Sequence, residues 1–229
     1  MGLPLYLART PWEIPEDDAL HTAYMACHFS PYGAGLEPYG EIPRCGMVIC
    51  NDRVPLLGHD PRLIYRQLGS ILEQTGADCL LLDFQRRDPA DADLVKTLQA
   101  LPCPVAVTEL YADCCSGPVF AEVPMHRPLS DATARWQGRL LWLDVAGNAQ
   151  RFTVTADGSR SSCLPPFVPD GICHREESLH CSYHIQVFPD RAEFTLFRTK
   201  EDLCDLLQEA EHLGFIKAVG LHQELQALV

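Results

Sequence analysis

Between Asp60 and Tyr111 the chain alternates amphipathic and apolar segments with almost nothing between them. Asp60 supplies an N-cap and Pro61 a first-turn proline. Leu63, Ile64, Gln67, Leu68, Ile71 and Leu72 then recur at helical spacing, and Gly76 is the stop. Asp78 to Phe84 follows at once, a buried-strand pattern that ends abruptly in polar groups. Asp88 to Asp93 opens a second helix with Leu94, Leu98 and Leu101 inward, Pro102 and Pro104 end it, and Val105 to Tyr111 reads as the next strand. A helix between consecutive strands carries the chain back to start the next strand in the same direction, which is the pattern of parallel βα architecture. In α/β barrels, chemistry sits at the C-terminal ends of such strands.

Three apolar runs precede this unit, at Leu3–Ala8, Tyr24–Phe29 and Cys45–Cys50, with a polar, Pro-bearing connection from Trp12 to Asp18. Val119–Val123 is a further strand, and the weak helical signal between Tyr111 and Val119 marks a degenerate sector. Beyond Gly138 the pattern changes. Arg139–Val145 and Gln150–Thr155 flank Ala146-Gly147-Asn148-Ala149 and read as a hairpin with a loop of about four residues. Asp157 to His180 reads as an irregular crossover, and Tyr183–Phe188 with Arg191–Phe197 as a second hairpin around Pro189-Asp190. Thr199 then caps a helix with a capping-box-like start, Phe215–Gly220 is a final strand and Leu221–Val229 a tail helix. The expected fold is one α/β domain over residues 1–229: a reduced or distorted (β/α) barrel with added β-hairpins in its C-terminal half, about residues 138–198.

A chain of 229 residues can bury a large core. Its net charge of −13 argues against nucleic acid, since binding phosphates needs clustered Lys and Arg, and it disfavours anionic membrane surfaces. Met1 to Pro15 lacks the basic start and apolar centre of a signal peptide, and no apolar run is long enough to span a bilayer. Eleven cysteines without an export signal read as reduced, small hydrophobes in a cytoplasmic protein, with Cys27, Cys50 and Cys79 inside apolar strands. Cys173-His174 and His180-Cys181 fit no common zinc spacing, so no metal is expected. Gly-x-Gly-x-x-Gly, Gly-x-x-x-x-Gly-Lys and Gly-x-Ser-x-Gly are absent, and no cofactor is expected.

Candidate site residues stand where apolar strands end. Asp83 and Gln85 lead, with a strand-end cap pairing Asp83 to Arg86 or Arg87 as the alternative. Glu109 and Tyr111 end the next strand on one face, either as a carboxylate and a stacking group beside Asp83 or as a solvated edge pair. Glu122, inside an apolar strand, needs a partner: it pairs with an Arg, or it is catalytic with a raised pKa. Asp83, Glu109 and Glu122 are thus the candidate catalytic residues; Gln85, Tyr111, Asn51, His126 and Trp142 are candidates for binding. Asn51-Asp52-Arg53 also fits simple turn chemistry. Asp144 resembles Glu122 but falls in the expected hairpin.

These pieces resemble a shortened chitinase-type (family 18-like) glycoside hydrolase barrel. That family carries Asp-Gly-x-Asp-x-Asp-x-Glu on its fourth strand, entered from a helix. The matching stretch is Asp78-Cys79-Leu80-Leu81-Leu82-Asp83-Phe84-Gln85, in which Asp78 and Asp83 agree, Leu81 replaces the middle Asp and Gln85 replaces the Glu. Glu209 to Glu224 is similar to the family's last helix and strand, without the aromatic that commonly follows it. The resemblance implies that Gln85 occupies the place of the general acid and Asp83 that of the residue orienting the substrate's acetamido group. An amide cannot give up a proton, and loss of a positioned acid costs on the order of a hundred- to ten-thousand-fold in rate. It keeps the shape and hydrogen-bonding capacity of a carboxyl group. The implied function is a catalytically impaired barrel that binds carbohydrate or is vestigial. Two alternatives remain open: an active hydrolase using Asp83, Glu109 and Glu122, and an interaction module presenting a sheet edge or dimer surface from its hairpins.

Overall fold

The structure, a computed structural model, describes residues 2–13, 21–40, 43–52, 58–87, 91–167 and 169–229. Residues 14–18 of the expected first connection, Arg53 and residues 88–90 at the expected start of the second helix lie outside the described residues.

Eight mutually parallel strands close into a ring: β1 (Leu5–Arg9), β2 (Thr22–Phe29), β4 (Met47–Asn51), β5 (Cys79–Asp83), β6 (Val105–Thr108), β7 (Val119–Glu122), β8 (Leu141–Asp144) and β14 (Phe215–Leu221). Closure comes from β1, which pairs with β14 from Leu5↔Ala218 to Ala8↔Leu221 and with β2 from Leu7↔Thr22 to Arg9↔Tyr24. The short β3 (Leu36–Pro38) adds antiparallel to β2. Val, Ile and Leu dominate β4, β5 and β6 because these strands are buried on both faces, as parallel strands must be when helices cover one side and a barrel core the other.

The reduction anticipated from the sequence lies in the covering layer, and the ring itself is whole. α1 (Pro61–Thr75) and α2 (Asp91–Leu98) cover β4, β5 and β6. Asp60 Oδ1 accepts from the Arg62 amide at 2.9 Å, and Gly76, at φ 69°, takes the left-handed turn that ends α1 at little steric cost. Between β6 and β7 there is only a 3₁₀ turn, Glu109–Tyr111. Arg139 reinforces this thin sector, donating to the carbonyls of Ala112 (2.7 Å), Cys115 (3.0 Å) and Gly117 (2.7 Å). The short α3 (Ser130–Arg135), then α4 (Lys200–His212) and α5 (His222–Leu225), cover the remaining side.

One expectation is overturned. Arg139–Val145 is not half of a hairpin, because Leu141–Asp144 is the seventh barrel strand, parallel to β7 and β14. Its Leu141, Trp142 and Leu143 are buried on both faces, which a half-exposed hairpin arm would not be. The hairpin is instead β9 (Ala149–Thr155) with β10 (Gly158–Leu164). The segment read as an irregular crossover holds β10 and β11 (Cys173–Glu176). The second hairpin, β12 (Cys181–Val187) with β13 (Arg191–Phe197), stands as expected. Together these strands form an antiparallel sheet of order β10-β9-β13-β12-β11, inserted between β8 and α4.

A buried carboxylate fastens this sheet to the barrel. Asp202, fully buried, closes the capping box of α4 by accepting from the Thr199 amide at 3.0 Å, and it also accepts from Ser182 Oγ (2.8 Å) and Arg175 Nε (3.0 Å). Each partner comes from a different element. All eleven cysteines are free, and no helix among the described residues is long and apolar enough to cross a membrane.

Asp202→Ala opens the capping box of α4 and leaves the buried Ser182 hydroxyl without its acceptor, while Arg175 keeps Glu201 and Asp205. The variant is therefore expected to lower unfolding free energy by about 2–3 kcal/mol, read from urea or thermal denaturation. A loss under about 1 kcal/mol, the range of an exposed ion pair, would remove this anchor from the account.

Candidate functional site

Side chains alternate along a strand, so the residues filling the barrel predict which strand-end groups face its mouth. Ile49, Leu81, Phe120 and Trp142 belong to the inner core. Two positions further on in each strand stand Asn51, Asp83, Glu122 and Asp144, at the C-terminal ends of β4, β5, β7 and β8. Neighbouring strands hold them side by side in register, Asn51 with Asp83 and Glu122 with Asp144.

The mouth is a chain of three adjoining cavities. The first, about 220 Å³, is floored by Met25, Ile49, Leu81, Phe120 and Val219 and rimmed by Asp83, Gln85 and Asp144. The second, about 280 Å³, runs past Gln85, Glu109, Glu122 and Asp144. The third, about 430 Å³, passes Glu122, His126, Asp144 and Glu224 and reaches Gln150 and Cys163 of the inserted sheet. Asp144 borders all three.

Gln85 lies two residues past the end of β5, on a segment pinned at both ends. Thr108 Oγ1 donates to the Phe84 carbonyl (2.7 Å), the Arg86 amide donates to Asp52 Oδ2 (2.8 Å), and the Tyr111 hydroxyl donates to the Arg86 carbonyl (2.8 Å). Gln85 itself is exposed to the mouth and donates through Nε2 to Asp83 Oδ1 at 2.5 Å. The alternative pairing of Asp83 with Arg87 does not occur, because Arg87 is engaged by Asp113 at 2.6 Å.

Of the other expected residues, Asn51 is buried beside Asp83, and His126 borders the third cavity with its ring edge-on to Phe152 at 5.3 Å and Nδ1 3.1 Å from Gln150 Oε1. Glu109 lies on the cleft wall, but its carboxylate accepts from Trp136 Nε1 (3.1 Å) and pairs with Arg135 (2.6 Å), so it anchors α3. Two expectations need correction. Tyr111 does not stand beside Asp83: the 3₁₀ turn rotates it outward into the helix-side core, where it meets Phe84 edge-on at 5.7 Å. Trp142 is fully buried one layer below the mouth, in line with Phe120 and 5.7 Å from Lys217 Nζ, so it fills the barrel and does not reach the cavity. Asp78, the first position of the family-like stretch, lies at the opposite, N-terminal end and pairs with Lys217 at 3.6 Å.

Asp144 is the residue that sequence reasoning underweighted. Its side chain is partly buried, and among the described residues no hydrogen bond or ion pair reaches it. Burial pushes its pKa up to about 7, and Glu122, Asp83 and Glu224 push the same way against the weaker pull of Arg198. A signal was present: Leu80-Leu81-Leu82-Asp83, Val119-Phe120-Ala121-Glu122 and Leu141-Trp142-Leu143-Asp144 share one form, three apolar residues and then an acid.

Two exposed aromatics that the sequence reading did not single out also stand near the mouth. Trp12 (81% exposed) and Tyr32 (95%) follow the C-terminal ends of β1 and β2, on the mouth side. Their turns are held. Thr10 donates twice to Glu13 Oε2 (2.9 and 2.8 Å), Glu13 Oε1 meets His222 Nδ1 (2.9 Å), and the Tyr32 amide donates to Ser30 Oγ (3.2 Å).

Comparison with solved structures gives full-length likeness at very low identity. A glycoside hydrolase family 18 N-acetylglucosaminidase from Paenibacillus barengoltzii superposes with a TM-score of 0.65 at 8% identity, covering 99% of this chain and 98% of that one. The spore cortex-lytic enzyme SleL of Bacillus cereus gives 0.60 at 8%, covering 99% and 73%. A glutamate-to-glutamine variant of a class V chitinase from Nicotiana tobaccum, in complex with NAG4, gives 0.60 at 12%, covering 96% and 93%. No protein-family model matches the sequence, and no curated protein is significantly similar to it. At such identities the likeness shows the fold alone: a closed α/β barrel like those of the family 18 enzymes and chitinases.

Asp144 also sets a pH dependence. Its folded-state pKa lies above the ordinary 3.8, so the folded protein holds this proton more tightly than the unfolded chain does. Its contribution to stability is full below pH 4 and is lost as pH rises through about 7. Asp144→Asn is expected to raise stability at pH 8, by at most about 4 kcal/mol, with little change at pH 4. Melting curves from pH 4 to 9 test this; equal shifts at both ends would refute it.

Proposed function

Starting from a chain with the fold of family 18 glycoside hydrolases, we propose that it is a carbohydrate-binding barrel whose mouth accepts an N-acetylated amino sugar and which has lost that family's proton donor. The observation that carries this reading is Gln85, held by a pinned segment at the mouth and hydrogen-bonded to Asp83. The amide occupies the space of a carboxylic acid and can donate and accept hydrogen bonds, but it has no proton to give a departing sugar. Asp83 stays in place as an acceptor for an amide N–H. The tobacco chitinase variant supports the reading by analogy, since a glutamine for a glutamate there coexists with bound NAG4.

The rest of the mouth suits such a ligand. An apolar floor with few polar groups around it is the usual make-up of a small-molecule site. Trp12 and Tyr32, on hydrogen-bonded turns and exposed on the same side, offer flat apolar faces to the C–H surfaces of pyranose rings. The chain's net charge of −13 does not oppose a neutral ligand.

Three measurements test the reading. The N-acetylglucosamine tetrasaccharide at a hundred times its dissociation constant adds about 2.7 kcal/mol of stability, which for a protein of this size raises the melting temperature by roughly 5–10 °C. Trp12→Ala and Tyr32→Ala are each expected to weaken binding several-fold by calorimetry. Gln85→Glu is expected to raise hydrolysis of a 4-nitrophenyl chitobioside on the order of a hundredfold or more. A tetrasaccharide that shifts nothing at millimolar concentration would overturn the assignment of ligand.

A further inference from the structure

Position 85 is not the only place at the mouth from which a proton can be delivered. Asp144 lies across the barrel from Gln85, and the two share the walls of the first and second cavities. Its carboxylate meets no donor among the described residues, although Asn148, close by in sequence, gives its side-chain amide to Glu224 at 2.6 Å. The neighbouring cation is likewise occupied: Arg198, buried, donates to the carbonyls of Ala146 (2.7 Å) and His180 (3.4 Å). A partly buried carboxyl group that borders three cavities and has no hydrogen-bond partner among the described residues is available to whatever enters them.

Glu122 is its counterpart. The two residues are register partners on adjacent parallel strands and end those strands on the same face. Adjacent strands are about 4.8 Å apart, a backbone separation from which two carboxyl groups on one face can reach the roughly 5–5.5 Å of retaining glycosidases, nearer than the roughly 6.5–9.5 Å of inverting ones. Their surroundings differ in the way such a pair requires. Asp144 is partly buried, while Glu122 is exposed along the second and third cavities.

We propose that Asp144 and Glu122 form an acid–base and nucleophile pair with which this barrel cleaves a glycosidic bond by double displacement, independently of position 85. The Glu122 carboxylate attacks the anomeric carbon while protonated Asp144 gives its proton to the departing glycosidic oxygen. The carbon–oxygen bond to the leaving group breaks and a glycosyl ester on Glu122 forms. A water molecule then attacks the anomeric carbon, Asp144 takes its proton, and the ester bond breaks to free the sugar with its configuration retained. Water is the only co-reactant, and both carboxyl groups return to their starting states. The charged groups around Asp144 support the assignment of roles: burial together with Glu122, Asp83 and Glu224 keeps it protonated up to about pH 7 against Arg198, as an acid at neutral pH must be.

The inference rests on the reading that the mouth binds an amino sugar, and two separate readouts keep them apart. Binding of the N-acetylglucosamine tetrasaccharide is followed by calorimetry, and turnover of 4-nitrophenyl N,N′-diacetylchitobioside is followed from pH 4 to 9. The expected result is measurable hydrolysis with an alkaline limb near pH 7 and retained anomeric configuration by NMR. Asp144→Asn and Glu122→Gln should each lower kcat by about 10²–10⁴-fold while melting cooperatively. Azide should restore turnover in Glu122→Ala with formation of a glycosyl azide of inverted configuration, which a structural role for Glu122 would not produce. Binding without turnover at any pH, or turnover that survives both substitutions, overturns the pair and leaves the sugar-binding reading intact. Absence of both binding and turnover overturns both.

Discussion

Everything about the site depends on the backbone ladder that β1 makes on its two sides. By pairing in parallel with β14 and with β2 it joins the last strand of the chain to the second and removes the two open edges of the barrel sheet. Closure also imposes direction. Eight parallel strands must all end at the same mouth, so the residues finishing β4, β5, β7 and β8 converge although they are scattered from position 51 to position 144. Glu122 and Asp144 are neighbours through the pairing of β7 with β8, and the ring bends that pair round toward Asp83.

Convergence of three carboxyl groups creates an electrostatic problem, and the structure resolves it unevenly. Asp83 takes a hydrogen bond from Gln85, and Glu122 remains open to solvent. Asp144 loses part of its hydration with no such help and faces Glu122, Asp83 and Glu224, so it keeps its proton to near neutrality. Burial and nearby like charges both favour the neutral form of a carboxyl group. The proton-holding group of this mouth therefore sits on β8, while Gln85, in the place the family-like stretch gives to an acid, is neutral at every pH. The same surroundings explain why Glu109 does not join the group: Arg135 and Trp136 engage its carboxylate on the wall.

The inserted sheet extends the mouth. It leaves the barrel where β8 ends, and its return into α4 is locked by Asp202 against Arg175, Ser182 and Thr199. Gln150 and Cys163 bring it to the far end of the third cavity. Glu224 of α5 holds the intervening loop by accepting from the Gly147 amide (3.0 Å) and from Asn148. The loop approaches so closely that a Cβ at Gly147 would stand 2.6 Å from the Glu224 carbonyl oxygen.

What could be read from the residues alone was whatever local periodicity encodes. The caps of α1 and α4, the double-sided burial of β5 and β6, the missing helix before β7 and the placing of Asp83 and Gln85 at a strand end all follow from short-range spacing. The role of Leu141–Asp144 did not, because an apolar run followed by a tight Gly-Asn loop and a second run suits a hairpin arm and a barrel strand equally well; only pairing with β7 and β14 separates them. Tyr111 and Trp142 were misplaced for a related reason: whether an aromatic faces the mouth, the barrel interior or the helix layer depends on a turn or a register that spacing does not record. The protonation of Asp144 was beyond any local pattern, since it arises from burial and from charges on three other elements that approach one another only once the ring has closed.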